Sequence, residues 1–166
     1  MKKIETMLEV LIFNSRWLLA PFYLGLVYAI ILLLVKFAKE ITKLTPLVFT
    51  GGGSDVIVGI LSLIDIALVA NLLLIIVFAG YENFVSKINT GDHEDRPDWM
   101  GHVGFSDLKI KVIGSIVAIS AIELLKAFVN VEEFTNEQLG WKVGIHLTFV
   151  VSGVLFAVMD KLTSHK

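Results

Sequence analysis

Cysteine is absent from the sequence, and this absence excludes several kinds of site at once. Without a thiol there is no disulfide, no cysteine nucleophile, no covalent haem attachment, and no zinc or iron–sulfur centre held by cysteine. The sequence also lacks the HExxH motif of zinc-dependent proteases. We therefore expect a protein that is not an enzyme and that carries neither a metal nor a cofactor.

Charged residues are also scarce. They make up 18% of the chain, against about a quarter in an average soluble domain, while 55% of the residues are hydrophobic. The mean hydropathy is +0.78. The formal net charge of −2 offers no basic surface for nucleic acid. This composition predicts a membrane protein, and the 166 residues leave room for about four short-looped spans in the lipid bilayer.

The longest apolar run extends from Val56 to Gly80, and it contains one acid and one amide, Asp65 and Asn71. A run of this length crosses a bilayer with some tilt. An acid inside hydrocarbon costs roughly 2.5 kcal/mol or more. We therefore expect Asp65 to face protein or water, together with Ser62, which lies one turn earlier on the same helical face.

The hydrophobic pattern predicts an all-α membrane protein that forms a single domain. The first 16 residues have apolar side chains at helical spacing and are predicted to form an interfacial amphipathic helix. An extension of the first span is the alternative for this segment. The four predicted transmembrane helices cover residues 17–37, 55–83, 107–129 and 136–162, and a polar loop covers residues 84–106. Ser54 or Asp55 is predicted to cap the second of these helices, and Thr135 with Gln138 is predicted to form a capping box at the start of the fourth.

The third and fourth spans contain ionisable residues that a bilayer disfavours. The third span is long enough only if it includes Glu123 and Lys126, which are three residues apart and so share a face. His146 lies about one turn inside the fourth span, in a stripe with Lys142 and Gly153. Two interpretations remain open: a proton pathway, or an ion pair and a hydrogen-bonded histidine that only stabilise the helices.

The polar loop contains several acids and histidines close together in the sequence. Acids and histidines between Asp92 and His102 resemble cation ligands, but a solvated acidic loop explains them equally well, and we expect no metal site.

The distribution of basic residues predicts the orientation in the membrane. With four spans, nine of the fourteen lysines and arginines lie on the side of the two termini and the 84–106 loop. The positive-inside rule therefore predicts that both termini are cytoplasmic.

Several segments, in the same order, resemble the YqhA-like family of uncharacterised bacterial inner-membrane proteins. The resemblance covers nearly the whole chain and implies four spans and an inner-membrane location. It supplies no activity and no catalytic residues. The segments that carry it are Ser15 to Pro21, Leu61 to Asp65, Gly80 to Ser86, Ser115 to Ser120 and His146 to Phe149.

Two functional hypotheses follow from the polar residues predicted to lie within the spans. In the first, they form an ion or proton pathway, and because four helices enclose little space, the pathway lies between the subunits of a homo-oligomer. In the second, the protein is a non-catalytic scaffold or accessory subunit, and the same residues are interhelical hydrogen-bonding groups. The sequence identifies no protein partner. The pathway candidates are Asp65, Ser62, Asn71, Glu123, Lys126 and His146.

Overall fold

The computed structural model describes residues 2–87 and 105–164, and within these ranges the fold is all-helical, as predicted. Four segments are long and apolar enough to cross a membrane: 6–50, 53–84, 108–129 and 136–163. The elements are helix α1 (Lys2–Ser15), a 3-10 turn (Arg16–Leu19), α2 (Ala20–Thr50), α3 (Gly53–Phe84), α4 (Phe105–Val129), a second 3-10 turn (Val131–Glu133) and α5 (Asn136–Ser164).

The N-terminal helix continues into the first span through the 3-10 turn. The predicted span began at Trp17, whereas α2 begins at Ala20, directly before Pro21. Proline has no amide hydrogen to donate and fits best in the first turn of a helix. The tighter turn over Arg16–Leu19 therefore separates α1 from α2.

The first span is longer than the sequence suggested. Its predicted end was Phe37, but α2 continues through Pro46 and ends at Thr50. A proline inside a helix removes one backbone hydrogen bond. Threonine hydroxyls around it supply additional donors, since Thr45 Oγ1 binds the carbonyl of Ile41 at 2.8 Å and Thr50 Oγ1 binds that of Pro46 at 3.0 Å.

Local capping signals account for the starts of α3 and α5. The cap of α3 is Gly52, not the expected Ser54 or Asp55, and Asp55 accepts a hydrogen bond from the Gly52 amide at 3.3 Å. At α5 the predicted capping box is confirmed. Thr135 N donates to Gln138 Oε1 at 3.0 Å, and Gln138 N donates to Thr135 Oγ1 at 3.2 Å.

The four long helices form an open row. Helix α2 packs on α3, α3 on α4 and α4 on α5, whereas α2 and α5 make no extensive contact within the described ranges. The core is thin, and large apolar side chains of α2 and α5 point outwards. Such a surface suits contact with lipid or with another chain. The buried hydrophobic residues are Leu61, Ile66, Ala79, Val85, Leu108 and Ala127.

Glycines set the register of these antiparallel helices. A Cβ atom on Gly80 would lie 2.6 Å from the Tyr23 ring, and one on Gly59 would lie 2.6 Å from Leu44. Both contacts give the same α2–α3 register, which places Asp65 opposite the stretch from Lys36 to Lys39. Between α4 and α5, the close glycine is Gly153, whose added Cβ would lie 3.1 Å from Ile113.

Candidate functional site

Three of the predicted pathway residues meet in one ion cluster between α3 and α4. Lys126 Nζ lies 3.2 Å from Asp65 Oδ2 and 2.7 Å from Glu123 Oε1. The side chains of Lys126 and Asp65 are only 17% and 23% exposed, whereas that of Glu123 is 49% exposed. The helical spacing of Glu123 and Lys126 brings these two residues together, and helix packing adds Asp65.

The cluster contains two carboxylates and only one ammonium group. If all three groups are ionised, it carries one negative charge that no contact within it neutralises. In addition, Asp65 Oδ1 is buried and has no hydrogen-bond partner among the described residues. Buried polar atoms normally have a partner, and buried charges are normally paired. The arrangement can therefore accept a proton, a water molecule or a cation.

A second polar contact joins His146 of α5 to Ser120 of α4, one turn before Glu123. His146 Nδ1 lies 2.9 Å from Ser120 Oγ, and the same hydroxyl lies 2.9 Å from the carbonyl oxygen of Val117. The hydroxyl has one proton, and a carbonyl can only accept. When Ser120 donates to Val117, His146 must donate from Nδ1, which leaves Nε2 of the neutral ring as an acceptor.

A groove between α4 and α5 adjoins both contacts. Its volume is about 350 Å³, and it is lined by Ile116, Ile119, Ser120, Glu123, Leu124, Lys142, Ile145, His146 and Phe149. Lys142 Nζ lies 5.1 Å from the centre of the Phe134 ring, and within the described part of the chain no carboxylate forms an ion pair with it. An acid, a base and an imidazole thus border one mostly apolar groove.

Besides His146, two predicted pathway residues lie outside the ion cluster. Ser62 is half-buried one turn before Asp65, and Asn71 is exposed, in a groove on α3 and α4 that also contains Lys111 and Ser115. Conversely, the pathway residues predicted from the sequence did not include Ser120 and Lys142, which line the α4–α5 groove. Helical periodicity could have identified both residues, since Ser120 shares a face with Glu123, and Lys142 shares a stripe with His146.

The ion cluster lies towards one end of the uncharged helical segments. The α2–α3 register places Asp65 opposite Lys36 to Lys39, where the uncharged part of α2 ends. The α4–α5 register, given by the Gly153 and His146 contacts, places Lys142 beside Glu123 at the same level. Charges of α2, α3, α4 and α5 therefore form one layer, which we call the charged layer.

No group of three metal-ligating side chains occurs among the residues that the structure describes. The acidic and histidine-containing segment between Asp92 and His102, considered above for cation binding, lies outside the described residues.

Comparison with known proteins gives a family. A family model described as "Uncharacterized protein family, UPF0114" matches residues 12–128, which include the first three long helices and the whole ion cluster but not α5. No solved structure matches the chain. Because the match covers well over half of the 166 residues, the chain belongs to UPF0114, the YqhA family of uncharacterised bacterial proteins that the sequence segments predicted.

Proposed function

We propose that this protein is a non-catalytic, multi-pass membrane protein that conducts protons or cations as a homo-oligomer, with the charged layer at one mouth of the pathway. The observation that carries this proposal is the excess of carboxylate over ammonium around Lys126. Rings of Asp and Glu side chains select cations in channels. Repeated around a symmetry axis, Asp65 and Glu123 would form such a ring.

The open row of helices supports a pathway between subunits rather than within one chain. In the described ranges the outer helices α2 and α5 do not close on each other, and they expose many large apolar side chains. Closed symmetric assemblies are the usual way to cover such surfaces. Apolar segments beyond the charged layer would act as a gate, since hydrophobic constrictions in channels block ions by excluding water.

The location and orientation are also part of this proposal. We place the protein in a bacterial inner membrane, and the basic residues of the flanking segments support a cytoplasmic position for both termini. The charged layer then lies on the outer side of the membrane. We further propose that α1 rests at the cytoplasmic interface, because its exposed side chains Met7, Leu8, Leu11 and Ile12 suit the boundary between headgroups and acyl chains.

A second candidate function is that of a scaffold or accessory subunit. Among the side chains of α2 and α5 that the structure describes, none is fully buried. Their outward apolar faces are therefore available to another membrane protein, and the ion cluster would then only hold α3 against α4. This function predicts that losing Asp65 disrupts assembly and changes no ion flux.

Flux through proteoliposomes distinguishes the two candidates. Purified protein is reconstituted, a potassium diffusion potential is imposed, and proton entry is followed with an internal pH-sensitive dye. A second assay follows cation uptake. We expect Asp65→Asn to change the flux while the oligomer persists. The matched control is Glu132→Gln, an exposed carboxylate in the turn between α4 and α5.

A further inference from the structure

The groove between α4 and α5 has the polarity of a phospholipid site. Its polar residues Glu123 and Lys142 lie at the level of the charged layer, while Ile116 and Phe149 line the part that extends into the apolar segment. Ile116 is two helical turns from Glu123, which is about 10 Å along the axis. An amphiphile therefore fits with its headgroup at the charged end and its chains at the apolar end.

The charged side chains of the groove complement a headgroup that carries both a negative and a positive charge. Lys142 has no carboxylate partner among the described residues, and His146 keeps one ring nitrogen beyond its contact with Ser120. The Lys142 ammonium is suited to a phosphate, whereas Nε2 of the neutral His146 ring is an acceptor and is suited to an amine. Glu123 uses Oε1 for Lys126 and is about half exposed, so its other oxygen is available to an amine. The arrangement complements a phosphate linked to a primary ammonium group.

The surroundings place this groove where lipid headgroups lie. Trp141, directly before Lys142, is 68% exposed. Exposed tryptophans of transmembrane helices are typical of the membrane–water interface. The volume of about 350 Å³ accommodates a headgroup and the first part of its chains rather than a whole lipid.

We propose that the groove between α4 and α5 binds one phospholipid with a phosphoethanolamine headgroup, whose phosphate contacts Lys142 and whose ammonium contacts Glu123 and His146. This site adjoins the ion cluster and shares Glu123 with it. The lipid would seal an otherwise open groove and fix the exposed carboxylate of Glu123.

Native mass spectrometry of the full-length protein in mild detergent tests this assignment. The protein is titrated with phosphatidylethanolamine or with phosphatidylglycerol, which has a phosphate but no amine. We expect tighter binding of phosphatidylethanolamine, and about tenfold weaker binding after Lys142→Gln. Lys142→Arg should retain most of the affinity, and Lys36→Gln, which removes an exposed lysine of α2, should bind like the wild type.

Equal affinity for the two lipids, or unchanged phosphatidylethanolamine binding in Lys142→Gln, would overturn the proposal. A cysteine cross-link between two copies through Phe149→Cys would also overturn it, because a second protein chain would then occupy the groove. The sequence has no cysteine, so such a cross-link is unambiguous. Since binding is measured without ion flux, and Asp65→Asn lies outside the groove, this result is independent of the proposed conduction.

Discussion

Lys126 and Asp65 are 61 residues apart in the sequence, yet their charged atoms lie 3.2 Å apart between α4 and α3. The contact joins the two central helices of an open row, at the level where the uncharged part of α2 ends. Glu123 binds the same ammonium group at 2.7 Å and connects the cluster to the α4–α5 groove. One lysine thus organises the polar groups of two helix interfaces.

Removing the lysine should destabilise the fold. Lys126→Gln leaves two carboxylates close together in a largely buried site, and we expect a loss of about 1–3 kcal/mol in the free energy of unfolding. Thermal unfolding in detergent measures it. The control is Lys43→Gln, which breaks an exposed ion pair with Glu40 at 3.8 Å and should change stability by less than about 1 kcal/mol.

A double-mutant cycle distinguishes the interaction between Asp65 and Lys126 from the separate effect of each mutation on stability. Asp65→Asn should rescue part of the stability that Lys126→Gln loses, because the remaining Glu123 then has no second carboxylate to repel it. Strictly additive losses in the double variant would show that Asp65 and Lys126 are not coupled.

The close approach of α2 and α3 depends on Gly80. An added Cβ would lie 2.6 Å from Cε1 of Tyr23, whose ring also contacts Tyr81 edge to face with a 6.2 Å centroid separation. Gly80→Ala should therefore destabilise the helix pair by about 1–3 kcal/mol. Gly25→Ala in α2 meets open space and should be neutral or slightly stabilising, since alanine favours helix. Equal melting temperatures for the two variants would contradict the observed register.

The contact between Ser120 and His146 determines a protonation pattern. With Ser120 donating to Val117, the neutral imidazole is protonated at Nδ1. Nitrogen-15 chemical shifts of His146 report which ring nitrogen carries the proton. We expect the Nδ1–H form in the wild type and a mixture of forms in Ser120→Ala. A wild-type ring protonated only at Nε2 would show that Ser120 donates to the histidine instead.

The start of α5 rests on its capping box. Thr135→Ala removes the hydroxyl that accepts from the Gln138 amide at 3.2 Å, and such caps contribute about 0.5–2 kcal/mol. Hydrogen exchange should increase at residues 136–139 and remain unchanged in the middle of α5. Thr163→Ala, near the other end of α5, is a suitable control because its hydroxyl bonds only to carbonyls of the preceding turn. Unchanged exchange at the start of α5 would mean that the cap adds little.

Much of the fold could be predicted because hydrophobic periodicity identifies helices directly. The four spans, the capping box at Thr135 and the pairing of Glu123 with Lys126 are all local in sequence. The continuation of α2 past Phe37 was missed because Lys39, Glu40 and Pro46 resemble a helix end. In the structure α2 nevertheless continues through Pro46, and the hydroxyls of Thr45 and Thr50 donate to the nearby carbonyls of Ile41 and Pro46.

Contacts between residues far apart in the chain could not be predicted from the sequence. The partner of Asp65 could not be identified, since it depends on the register that glycines such as Gly59 and Gly80 impose. For the same reason the sequence could not show that packing places Asp65 opposite charged residues of α2. Asn71 was grouped with Asp65 by proximity in the chain, but it lies on another face of α3.

A cryo-EM map of the protein in lipid nanodiscs is the sharpest test of conduction. Conduction between subunits predicts a ring of subunits in which Asp65 and Glu123 border a hydrated path at one end of the membrane-spanning helices. If the map instead showed Asp65 and Lys126 in a dry contact between helices, with no path along the symmetry axis, conduction would be contradicted and the scaffold function would replace it.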